Sequence, residues 1–168
     1  MIGYEEIHSK VFRSSVLEKN DNFKNFLEEL DLHVDTVIEL GTYKGLSAAV
    51  WASICNKVIT FDINHQPIAE PLWDLLGVKD KIDYIIVPNL SGVRDFLKAR
   101  NKPIDFVFAD GPHRHYSDVM KIFNMFKNLG AKRILFDDAN EQWPGTLQVA
   151  EEIGAKIYKD RLAYWEAK

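Results

Sequence analysis

Two stretches of this chain place chemistry-bearing side chains at the ends of short apolar runs: DFVFADGPHRHY over residues 105–116 and ILFDDAN over 134–140. Asp110 ends the first run, and Asp137 and Asp138 end the second. Three carboxylates at two neighbouring strand ends can converge on one point, and hard oxygen donors of this kind suit magnesium or calcium. His113 follows Asp110 by three residues. Histidine titrates near neutrality and can take the proton from a reacting hydroxyl. A bound divalent cation would favour the ionised form of that hydroxyl and fix its direction.

A second constellation lies earlier, in VIELGTYKGLS over residues 37–47. An apolar run ends at Glu39, a loop turns over Gly41 and Gly45, and a helix-like segment LSAAVWASICN follows. The next apolar run ends at Asp62. A carboxylate at that strand end is placed to accept hydrogen bonds from ribose hydroxyls, and Glu39 could pair with a cationic amino group. A ligand with an amino-acid end and a nucleoside, but no phosphate, would satisfy both. The spacing E-x-G-x-x-x-G differs from the G-x-G-x-x-G of dinucleotide sites and from the P-loop pattern. A nicotinamide-dependent oxidoreductase is thereby disfavoured.

These groups need a frame that brings strand ends together. From Val34 onward, short apolar runs alternate with helical spacing, which predicts repeated βαβ units and a mostly parallel sheet with helices on both faces. The expected strands are Thr36–Leu40, Val58–Asp62, Ile82–Val87, Ile104–Ala109 and Arg133–Phe136. Ser91 is expected to cap a helix burying Val93, Phe96 and Leu97. Tyr116, Val119, Met120, Phe123 and Phe126 form one apolar face of another helix, stopped at Gly130. Thr146 is expected to cap a last helix carrying Leu147, Ala150 and Ile153, closed by Gly154. The tail AKIYKDRLAYWEAK holds two strand-like runs joined around Lys159 and Asp160. So short a connection permits only an antiparallel hairpin.

Ahead of this Rossmann-like core, at 34–168, residues 1–33 read as a helical N-terminal segment of the same single domain. Phe23, Phe26, Leu27 and Leu30 share a helix face whose start is offered caps by Asn20 or Asp21. That face either covers one side of the sheet or forms a flap over a substrate site. The 168 residues, 46% hydrophobic and 27% charged, have the composition of one ordinary globular domain. The net charge of -4 shows no electrostatic footprint for nucleic acid or an anionic membrane. Cys55 is the single cysteine, which excludes an internal disulfide framework. The start MIGYEEIHSK lacks the apolar core of a signal peptide, and no run is long enough to span a bilayer. A cytoplasmic location is the default expectation, and a homodimer stays open.

At this level of detail the chain resembles the class I S-adenosylmethionine-dependent methyltransferases. ELGTYKGLSA is similar to the first motif of the small-molecule O-methyltransferases of the catechol and caffeoyl-coenzyme A type. The resemblance implies S-adenosylmethionine as cofactor. Glu39 would meet the methionine amino group, Gly41 would let the backbone approach, and Thr42, Tyr43, Gly45 and Ser47 would complete the loop at the methionine end. Asp62 would hold the ribose, Asn89 would lie near the adenine, and Asp110 would border the cofactor. The spacing from Asp110 to Tyr116 is similar to that around the metal-binding aspartate of the same enzymes. The resemblance differs at two points. The family carries aspartate then asparagine where this chain has Asp137 then Asp138, and a lysine where it has His113. D-G-x-H is similar to a broader group acting on sugars and secondary metabolites.

The expected function is therefore methyl transfer from S-adenosylmethionine to a hydroxyl of a small molecule, with Asp110 and His113 catalytic and Asp110, Asp137 and Asp138 holding a divalent cation. Two alternatives stand beside it: a metal-independent methyltransferase with His113 as base, and a non-catalytic module that has kept the fold. The plainer roles are loop stabilisation for Glu39 and Asp62, capping for the three aspartates, and solvation for His113 and His115. Trp143 would either pack or shield a substrate.

Overall fold

A computed structural model describes residues 23, 25–159 and 161–168. The caps offered by Asn20 and Asp21, the helical reading of residues 1–22 and the turn residue Asp160 lie outside the described residues. Among the described residues, seven strands form one sheet: β1 Thr36–Leu40, β2 Lys57–Asp62, β3 Ile82–Ile86, β4 Phe106–Ala109, β5 Arg133–Phe136, β6 Lys156–Tyr158 and β7 Leu162–Glu166. Their order is β3-β2-β1-β4-β5-β7-β6. The strands β1 to β5 pair in parallel, and β7 runs antiparallel to both β5 and β6. This is the Rossmann-like α/β arrangement with a terminal antiparallel hairpin that the spacing predicts.

Residues alternate between two faces along each strand, as a pleated backbone requires. Val37, Val58, Phe106 and Phe108 enter one apolar cluster, and Ile38, Ile59, Val107 and Ala109 enter the other. A sheet buried on both faces needs helices on both. α1 (Leu46–Ile54) and α2 (Ala69–Leu75) cover the first face. α3 (Leu90–Arg100), α4 (Tyr116–Asn128) and α5 (Pro144–Glu152) cover the second. The described part of the N-terminal segment is helical at residues 25–29, and its Phe23, Phe26, Leu27 and Leu30 face covers the first side of the sheet. Phe23 stacks on Trp51 with ring centroids 4.4 Å apart and meets Phe108 edge-on at 5.1 Å.

Several local expectations are corrected. The helix α3 is capped by Asn89, whose side chain accepts the Gly92 N–H at 3.2 Å, and Ser91 lies inside the first turn. Thr146 also lies inside its helix: α5 opens at Pro144, with Trp143 in the cap position. Proline suits a first helical position, because its missing N–H would have had no partner there. The helix α2 was not anticipated. The expected strands overreach at Ile104 and Val87, which still make ladder-like backbone bonds to Lys132 and Asp62. Tyr116 is partly exposed and donates its hydroxyl to Glu152 at 2.7 Å.

Candidate active site

β1 is hydrogen-bonded to β2 on one side and to β4 on the other, so the crossovers diverge from it. In open parallel sheets a ligand crevice forms outside the strand carboxyl ends at such a switch point. A cavity of about 530 Å³ lies there, lined at the strand ends by Gly41, Asp62, Val87 and Gly111. Leu40, Phe61, Val93 and Ile122 give it an apolar floor, and Asp62 and Asn89 bring polar groups to it. The volume falls within the range of about 300–1,000 Å³ typical of cofactor and small-ligand sites.

The loop after β1 is fixed by three contacts. Gly41 sits at φ 103°, and a Cβ there would come 1.9 Å from the carbonyl oxygen of Asp110. The glycine therefore lets the ends of β1 and β4 pass each other. Tyr43 N–H donates to Asp62 Oδ2 at 2.8 Å, and Asn64 N–H donates to Asp62 Oδ1 at 3.0 Å. A carboxylate offers about four acceptor directions, so each oxygen of Asp62 retains capacity for a hydroxyl. Gly45, at φ 79°, opens α1 without a side-chain cap, and its carbonyl accepts the Trp73 indole N–H at 2.7 Å.

Beneath this loop Glu39 is wholly buried. Thr60, its register partner on β2, donates its hydroxyl to Glu39 Oε2 at 2.5 Å. The Thr60 and Thr42 hydroxyl oxygens are 2.6 Å apart. A hydroxyl has one proton, and that of Thr60 is committed to Glu39, so Thr42 is the donor in this pair. Thr42 and Ser47 are buried, and Tyr43 is exposed with its backbone at φ 43°. Gly41, Asp62 and Asn89 thus line the cavity, whereas Glu39, Thr42, Tyr43, Gly45 and Ser47 are not brought to its wall. Asn89 combines this place with its capping role.

The second half of the site lies beyond β4 and β5. His113 Nε2 is 3.3 Å from Asp110 Oδ1 and 3.7 Å from Asp138 Oδ2. One donor atom from each of these three residues lies within 4.8 Å of the other two. His113 is held from behind as well. Its carbonyl accepts the Thr146 N–H at 3.0 Å, and its ring meets the edge of Trp143 with centroids 5.6 Å apart. Trp143 therefore packs against the imidazole. His115 is exposed at the start of α4.

Asp137 is not brought to this group. It is buried, and Arg161 grips both its oxygens, Nε to Oδ1 at 2.7 Å and Nη2 to Oδ2 at 3.1 Å. The expected trio of Asp110, Asp137 and Asp138 is replaced by Asp110, His113 and Asp138. Burial and the neighbouring Asp137 charge raise the Asp138 carboxyl above its ordinary value, against the opposing pull of Arg161 and His113. Thr60, Trp73 and Arg161 are site residues that sequence reasoning missed. A threonine between Ile59 and Phe61 of a buried strand was the available signal for the first.

The fold has known counterparts. An O-methyltransferase from Bacillus cereus in complex with SAH superposes with a TM-score of 0.67 at 13% identity, over 95% of this chain and 87% of that one. A putative O-methyltransferase from Klebsiella pneumoniae gives 0.64 at 17% identity, over 91% and 88%. A cofactor-bound protein from MTB gives 0.64 at 18% identity, over 90% and 87%. No curated protein matches the sequence at significance. The profile of the O-methyltransferase family matches residues 5–162. The strand order, the crevice at the β1/β4 switch point and this match along nearly the whole chain lead to one conclusion: the protein belongs to the O-methyltransferase family, enzymes that take their methyl group from S-adenosylmethionine.

Proposed function

We propose that this protein methylates a hydroxyl group of a small-molecule acceptor, with His113 receiving the hydroxyl proton. The observation that carries this reading is the convergence of His113 Nε2, Asp110 Oδ1 and Asp138 Oδ2 at strand ends that continue directly into the cofactor cavity through Gly111. A hydroxyl placed among these atoms would lie within reach of the imidazole, as general base catalysis requires. Much of the remaining barrier is lowered by alignment of oxygen, methyl and sulfur.

The residues present fit the cofactor. The apolar floor suits an adenine, and Asp62 retains acceptor capacity for the ribose. Glu39 is the candidate partner of the methionine ammonium. The uncapped start of α1 offers backbone N–H groups of the kind that hold a carboxylate.

They also fit a divalent cation. Donors that share an ion at about 2.0–2.6 Å lie no more than about 5 Å apart, and the Asp110 and Asp138 carboxylates satisfy that with His113 left to take the proton. Asp110 and Asp138 would hold it, and its chemistry would be to favour the ionised acceptor hydroxyl. Arg161 supports the rival, metal-free reading in one respect: it already compensates the charge of Asp137.

The test is methyl transfer from radiolabelled S-adenosylmethionine to a panel of catechols, other phenols and sugar hydroxyls, with magnesium, manganese or EDTA. Labelled product that disappears in His113→Ala supports the proposal. Full activity in EDTA leaves the metal-free version standing alone. No product with any hydroxyl acceptor, while S-adenosylhomocysteine binds, overturns it.

A further inference from the structure

Arg161 lies on the terminal hairpin, 24 residues beyond Asp137 along the chain. Its guanidinium takes both Asp137 oxygens, and the one bound by Nε also accepts the Asp138 N–H at 2.9 Å. Its own carbonyl accepts the Ala139 N–H at 2.6 Å. Asp138, between these two attachments, sits at φ 57°. That left-handed conformation is disfavoured for a residue with a Cβ and persists where surrounding bonds enforce it. Arg161 Nη2 also stands 3.5 Å from Asp138 Oδ1, while Asp138 Oδ2 is the oxygen that faces His113.

We infer that Arg161 is a positioning residue for methyl transfer: through Asp137 it holds Asp138 in the strained turn that presents one carboxylate oxygen to His113. The inference rests on the reading of His113 and Asp138 as reaction-site groups. A planar fork is required, because a single point charge cannot take two oxygens of Asp137 and stand beside Asp138 at once. A purely structural tie between hairpin and sheet is the competing explanation. The β5–β7 ladder pairs four residues without the side chain, from Arg133 with Glu166 to Phe136 with Ala163, and the Ala139 bond uses only backbone. The hairpin is thus paired to β5 by backbone alone, and the guanidinium acts on Asp137.

The experiment compares wild type, Arg161→Met and Arg161→Lys in two readouts. The first is the imidazole NMR spectrum of histidine-labelled protein without acceptor, with His113 assigned through His113→Gln. The second is turnover on whichever acceptor the hydroxyl panel identifies, with S-adenosylhomocysteine affinity measured by calorimetry. We expect Arg161→Met to move the His113 resonance and leave the other histidines in place. Its kcat should fall about 10- to 100-fold, the scale of a roughly 1 Å misplacement, with cofactor affinity unchanged. Arg161→Lys should recover only part of both effects. If Arg161→Met does not fold, Arg161→Lys carries the comparison. An unmoved His113 resonance in a folded variant overturns the inference, whether or not an acceptor has been found. So does wild-type kcat in Arg161→Met.

Discussion

Trp73 holds the loop after β1 at Gly45: the indole N–H meets the Gly45 carbonyl at 2.7 Å, and a Cβ on Gly45 would fall 2.8 Å from that same nitrogen. Replacing Trp73 with Phe keeps an aromatic ring against Tyr84 and removes the donor. The Gly45 carbonyl then keeps the Ala49 N–H at 3.1 Å and loses the indole one, at a cost of about 0.5–1.5 kcal/mol. Urea unfolding should show that loss, and calorimetry should show weaker S-adenosylhomocysteine binding. An unchanged dissociation constant would show that this bond has no bearing on the cofactor.

Gly41 allows a sharper comparison. Gly41→Ala would drive a methyl group against the Asp110 backbone, which cannot rotate aside as a side chain would. It should abolish cofactor binding, and thermal melting should report a loosened core. Gly77→Ala serves as the control, since Gly77 also has positive φ, at 67°, but no atom within 4 Å of the added Cβ. That variant should lose only the left-handed penalty, about 1–2 kcal/mol, and bind normally.

Asp138→Asn should give a more stable and less active protein. Burial and Asp137 hold the Asp138 carboxyl above its ordinary value, so its ionised form is less favourable in the folded chain than in the unfolded one. Stability tied to this group is therefore greatest below the ordinary carboxylate pKa and is lost as pH rises through the higher folded value. An uncharged asparagine escapes that loss and tolerates positive φ. The melting temperature at neutral pH should rise by no more than about 4 °C, the shift that 1 kcal/mol produces in a domain of this size. The gain should vanish in acid, where Asp138 is itself protonated. A lower melting temperature at pH 7 would refute the assignment.

Cys55 is buried at the end of α1, its thiol donating to the Lys57 carbonyl at 3.3 Å, and burial pushes its pKa up to about 11. The thiolate is the reactive form. At pH 8 the native protein should resist thiol reagents, and reaction should appear only with denaturant. Rapid labelling of folded protein would contradict this placement.

What the sequence revealed was whatever depends on near neighbours. VIELGTYKGLS reads as strand, loop and helix because its apolar run, glycines and helical spacing are contiguous, and the hairpin follows from chain separation alone. Where two suitable residues stood close together, the choice passed to tertiary structure. Asn89 and Ser91 can both cap, and the pairing of Val87 with Asp62 brings the strand up to Asn89. α2 was hidden by Pro71, which falls in its first turn, where proline is tolerated. Which of two adjacent aspartates faces His113 was illegible, because Arg161 decides it across the β6–β7 hairpin.

The passage of Gly41 against Asp110 has a consequence for how such a protein diversifies. Gly41 N–H is bonded to Phe61 O and Asp110 N–H to Leu40 O, both at 2.9 Å, so the loop after β1 and the turn that carries Asp110 and His113 are registered to each other by main chain. Side chains at the rim can then be exchanged for other acceptors without resetting the distance over which the methyl group must travel. Acceptor choice and transfer geometry become separately inheritable.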